Sequence, residues 1–116
     1  MAFGIRILPE TLRTLAFGGI AAGYTAVGTA FTHPIRIIMI TNTTDVGVII
    51  SWNGVNDHIA LPAGGFILLD VMSNKANSIN SSAFIAEGTI IYAKREAGAP
   101  ASGNVYVSVF YALGDN

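Results

Sequence analysis

The sequence predicts an all-β domain, an antiparallel β-sandwich of jelly-roll-like form with an extended N-terminal arm. From Pro34 onward, short apolar runs rich in β-branched and aromatic residues are cut by Gly, Asn, Asp and Pro at intervals too short for helices. Several of these runs are apolar at both parities, as strands covered on two faces are. Hydrophobic residues make up 52% of the chain and charged residues only 11%, against about 25% charged in an ordinary soluble domain. Solvated surface is therefore scarce, and part of the outside should be covered by something else.

At 116 residues the chain suits one core, with an amino-terminal segment at 1–30 and a sandwich body at 31–116. Residues 5–8 read as a strand, whereas 9–15 read equally as a short helix opened by Pro9 and Glu10 or as an alternating strand. The Gly/Ala-rich stretch 18–28 carries little side-chain volume and suits an arm that orders against a partner. Residues 24–31 then open the body.

The body strands are expected at 35–41, 46–52, 58–61, 66–71, 83–86, 89–94 and 105–113. In the second, Val46, Val48, Ile50 and Trp52 share the face expected to point into the core. The last offers Val105, Val107, Val109 and Tyr111 on one side against Tyr106, Ser108, Phe110 and Ala112 on the other, so a neighbouring subunit is expected on its outer face. Asn53-Gly54 reads as a two-residue type I′ hairpin turn, and residues 62–65 as a second reversal. Residues 74–82 and 96–103 are loop chemistry.

With a formal net charge of −1 and no Lys/Arg cluster, the chain lacks the electrostatic term that dominates nucleic-acid affinity. Cysteine is absent, which excludes disulfides, thiolate nucleophiles and Cys-ligated zinc. Residues 14–32 are uncharged, and a small membrane protein such as a holin would use 15–31. Four glycines together with Tyr24, Thr25 and Thr29 make a poor span, so no membrane is expected. The stretch also starts too late for a signal peptide.

Asp57 and His58 are the one acid–histidine neighbour pair in the quotable motifs, but adjacent strand residues point to opposite faces. No Gly-x-Ser-x-Gly elbow, phosphate-cradling loop or metal-ligand spacing is present, so no enzyme, metal or cofactor is expected. An exposed Trp52 with Asn53, Asn56 and Asp57 would suit a carbohydrate-binding module, although alternation points Trp52 inward. Asn42-Thr-Thr44 and Asn80-Ser-Ser82 match a glycosylation pattern but read as turn residues.

The phrases HPIRIIMITNTTDVGVIISWNGVNDHIALPAGGFILLDVMSNK, EGTIIYAK and SGNVYVSVFYAL resemble the small β-sandwich virion proteins of tailed bacteriophages. The resemblance rests on the order of strand and turn phrases over the later part of the chain. It implies a non-enzymatic structural protein of the virion, in symmetric copies contacting other capsid, neck or tail proteins after assembly in the host cytoplasm. A head decoration or cement protein is the first expectation, and a neck, collar or tail component the alternative. Contact residues are expected at Phe3, Leu12, Leu15, Phe17 and Tyr24 in the arm and at Tyr106 and Phe110 on the outer face.

Overall fold

The computed structural model describes residues 4–71 and 85–115. These contain nine strands and a single 3-10 turn, Phe17–Gly19, with no α-helix among them. The strands are β1 (Gly4–Pro9), β2 (Arg13–Ala16), β3 (Thr25–Ala26), β4 (Ile35–Asn42), β5 (Val48–Ser51), β6 (Ile59–Leu61), β7 (Phe66–Asp70), β8 (Tyr92–Arg95) and β9 (Asn104–Asp115). All pairings are antiparallel.

Two sheets result. The larger runs β1-β9-β4-β7, with β2 also on β9, and the smaller runs β3-β8-β5-β6. β1 and β2 act as one edge strand with an irregularity: Pro9 pairs with Phe110 and Arg13 with Val107, so residues 10–12 stand against only 108 and 109. That extra residue is a β-bulge. Pro9, which has no N–H to give, is tolerated because it lies on an edge.

Alternation determines the core. Ile38 and Ile40 of β4, Val105, Val107 and Val109 of β9, Val48 and Ile50 of β5, and Ile91 and Ala93 around β8 are all fully buried between the sheets. Ile20, Val27 and Phe31 join them, so the 1–30 segment expected as an arm contributes Ile20 and Val27 to the core and three paired strands, β1, β2 and β3, to the sheets. The alternatives left open for 9–15 resolve as strand. A Gly-rich stretch buries its few large side chains easily because nothing bulky stands between them. Only the start of the chain keeps some character of an arm: β4 stops pairing with β9 at Tyr111, so Gly4–Ile7 and residues 112–115 continue as a two-stranded ribbon. The long dimension is 55 Å against 23 and 22 Å.

Two sequence expectations change. Asn53-Gly54 is not a two-residue hairpin turn, since the β5–β6 pairing ends at Ile50↔Ile59 and residues 51–58 form a wider loop. Gly54 does take positive φ, at 74°. Trp52 is half-buried against the core cluster instead of sealed in it, because β5 ends at Ser51 and alternation lapses there. The second reversal holds: Gly65 N–H donates to the Pro62 carbonyl at 2.9 Å and Gly64 has φ 75°, which is a type II turn. It carries the chain from the smaller sheet to the larger. The strand expected at 83–86 lies mostly outside the described residues, and Ile85 makes an isolated bridge to Ile35.

At the β4 corner Asn42 is fully buried and fully used. Its amide donates to the carbonyls of Val46, Leu61 and Pro62, and its oxygen accepts from the Thr44 N–H and hydroxyl. This satisfies a buried polar side chain and removes Asn42 as a glycosylation acceptor.

Candidate functional surfaces

Period-two alternation sends half of each larger-sheet strand outward, and the register aligns those side chains in rows. Thr14, Tyr106, Thr41 and Phe66 form one row; Ser108, Met39 and Leu68 the next; Pro9, Phe110, Ile37 and Asp70 a third; and Ile7 with Ala112 a fourth. Leu12 stands out from the bulge beside Ser108. Phe66 is 64% exposed, Leu68 54% and Leu12 51%. Asp70 is the one carboxylate these rows contain, and they contain no Lys, Arg or His. The face is thus mostly apolar, with Thr14, Thr41, Ser108 and Asp70 as its polar members.

The smaller sheet's outer face is different because residues 52–58, which follow β5, fold over it. Ser51 is fully buried beneath the loop, its hydroxyl oxygen accepting the N–H groups of Asn53 and Gly54 at 3.2 and 2.9 Å. The Asn53 side-chain oxygen accepts the N–H groups of Val55 and Asn56, both at 2.9 Å. Gly54 lies on the Tyr92 ring, where a Cβ would stand 3.3 Å from the ring atoms. Asp57 closes the loop, accepting the Tyr24 hydroxyl and pairing with Lys94 at 3.0 Å. Lys94 also sits 4.7 Å from the Tyr24 ring centroid. Burial first, then the adjoining Asp57 carboxylate, push the Tyr24 phenol up to about 12. The bond from Tyr24 and then Lys94 hold Asp57 below the usual carboxylate range.

Asp57 and His58 diverge, as expected of neighbours. His58 Nδ1 accepts the Trp52 N–H at 2.9 Å, away from Asp57's partners. Of the glycan-contact candidates, Asn53 is committed to the loop's own bonds, Asp57 to Tyr24 and Lys94, Trp52 packs on the core, and Asn56 is exposed. Among the described residues no group of three His, Cys, Asp or Glu is placed to hold a metal. No helix among them is long and apolar enough to cross a membrane.

A third cluster, missed in the sequence, sits beside the bulge. Glu10 is 6% exposed and accepts Arg13 Nη2 at 2.8 Å, His33 Nδ1 at 2.7 Å and the Thr32 hydroxyl at 2.9 Å. Burial alone would raise its carboxyl, but the bonds from His33, Arg13 and Thr32 together outweigh that and hold it low. Arg13 also donates to the Thr29 and Ala30 carbonyls at 2.7 and 2.9 Å. His33 stacks on Tyr111 with centroids 3.6 Å apart. The cluster lines a cleft of about 470 Å³ and pins the edge strand to residues 29–33. No sequence motif signals it, because its two halves, Glu10 with Arg13 and residues 29–33, lie 16 or more positions apart where they bond.

The contact candidates separate accordingly. Tyr106 and Phe110 lie on the outer face and Leu12 at its rim. Phe17 is exposed in the 3-10 turn. Leu15 pairs with Val105 and packs inward, and Tyr24 belongs to the smaller sheet's cover. Phe3 lies outside the described residues. Phe66 and Leu68, the most exposed apolar side chains of the outer face, were readable: 66–70 is apolar at both parities until Asp70. Comparison with protein-family models, with curated proteins and with solved structures finds no match for this chain.

Proposed function

We propose that this chain is a non-enzymatic structural protein of a tailed-bacteriophage virion, a head decoration or cement protein first and a neck or tail component next. The apolar outer face of the larger sheet carries the reading, since burying it against neighbours would stabilise a particle. Each fully buried aliphatic or aromatic side chain contributes roughly 1.5–3 kcal/mol before ordering costs.

The strand order supports a jelly roll. Counting β1 and β2 as one strand gives eight, and the first pairs with the eighth, the second with the seventh, the third with the sixth and the fourth with the fifth. That is one long hairpin rolled up until its third and eighth strands, and its fourth and seventh, also touch. Viral capsid domains use this architecture, as do lectins and cupins, so fold alone does not choose among them. The ribbon of β1 and the end of β9 serves as the arm, with strand edges free to pair with a neighbour.

Fractionation tests the reading. In lysates of cells producing the protein from its native genome, it should sediment with assembled particles in stoichiometric amount. Recovery only in the low-mass fraction, with none in purified particles, overturns it.

A further inference from the structure

We infer that the outer face of the larger sheet mates with the same face of a second copy of this chain, sheet against sheet across a two-fold axis. This names the first partner of the surface on which the assembly reading rests.

Three observations choose a second copy. The first is chemical: apart from Asp70 in one corner, the rows offer no carboxylate or cation to attract a charged partner. A matching surface must be as uncharged as this one, and the face itself is such a surface.

The second is shape. Phe66 and Leu68 form an exposed ridge on the β7 edge. Across the sheet, Pro9, Leu12, Ser108 and Phe110 line a depression of about 180 Å³. An axis parallel to the strands, between β4 and β9, places β7 of each copy over β1–β2 of the other. Leu68 shares a row with Ser108, so the rotation carries each ridge onto the other's depression at the same height. Such self-complementarity is what an isologous contact requires.

The third is size. Four strands at about 4.8 Å spacing, over the 8 residues of β4 at about 3.4 Å each, give a face of roughly 500 Å² in plan. Upright side chains make its accessible area larger, near the ~800 Å² per partner of a standard stable interface.

The test uses sedimentation of the full chain over a concentration series, with circular dichroism to confirm folding. Wild type should form dimers. Leu68→Lys and Ser108→Glu should each weaken self-association by at least about tenfold, and an equimolar mixture of the two should restore a dimer by pairing the new charges across the interface. A wild-type monomer at every concentration, or a dimer indifferent to both substitutions, overturns the inference. Two folded monomeric variants that do not rescue each other overturn the ridge-on-depression arrangement. Failure here is distinct from failure of the virion reading: a monomer that still sediments with particles refutes only the self-mating, whereas a rescued dimer absent from particles refutes only the virion role.

Discussion

The two outer faces of the sandwich are built from the same strand chemistry yet end differently. On the smaller sheet the chain supplies its own cover, with Ser51 sealed under residues 52–58, Gly54 on the Tyr92 ring, and Asp57 tied to Tyr24 and Lys94. On the larger sheet no comparable loop among the described residues lies over Phe66, Leu68 and Leu12, which are more than half exposed. A chain with so few charges has two ways to treat an apolar sheet face, to fold a polar loop over it or to leave it for a partner. This one uses both.

Substitutions within one sheet sharpen the contrast most. Ile38 is buried on the inner side of β4, while Leu68, one strand away, points outward. Ile38→Ala should cost about 2–5 kcal/mol in denaturant unfolding at high dilution, and Leu68→Ala less than about 0.5 kcal/mol. Equal costs would mean that the outer face is already packed within the monomer.

Next comes the rim. Glu10 fixes the bulge that presents Leu12, and Glu10→Gln should destabilise by about 1–3 kcal/mol at neutral pH through weakened charge-assisted bonds. The sign with pH follows from its lowered pKa. The contribution is complete above the ordinary value of 4.5 and fades as pH falls through the lower folded value. Glu10→Gln should therefore flatten the acid limb of a stability–pH curve, and an unchanged limb would remove the latch from the account.

Smaller effects probe the self-covered face. Gly54→Ala meets both a positive φ and the Tyr92 ring, whereas Gly64→Ala, at nearly the same φ, meets nothing within 4 Å. Gly54→Ala should cost about 1–3 kcal/mol, and Gly64→Ala less, the difference measuring the loop's seat on Tyr92. The smallest signal is spectroscopic. One tyrosine should ionise at about 12 in an absorbance titration, and Asp57→Asn should lower it only part of the way, since burial is the larger cause, with little change in unfolding midpoint.

What the sequence disclosed follows this same division. Apolar runs bounded by turn residues were legible to within a residue or two, as with 35–41 against Ile35–Asn42 and 66–71 against Phe66–Asp70. The two-sided apolar pattern of 105–113 already implied an outer face with Tyr106 and Phe110 on it. Of the edge strand, 5–8 was legible within Gly4–Pro9, but its continuation Arg13–Ala16 was not, because Pro9, Glu10 and the bulge interrupt its period. Residues 51–58 were misjudged because a turn-forming Asn-Gly pair says nothing about whether the chain will stay to cover a face. The Glu10, Arg13, His33 cluster joins the local Glu10–Arg13 pair to residues 29–33 by tertiary contact, which local patterns do not encode.

The central claim, that the larger sheet's outer face is covered in the working state, is most directly tested by hydroxyl-radical footprinting of the protein at assembly concentration and after dilution. The account predicts that Met39, Phe66 and Leu68 gain reactivity on dilution while Tyr24 and Tyr92 do not change. Identical reactivity of Met39, Phe66 and Leu68 at both concentrations would contradict it.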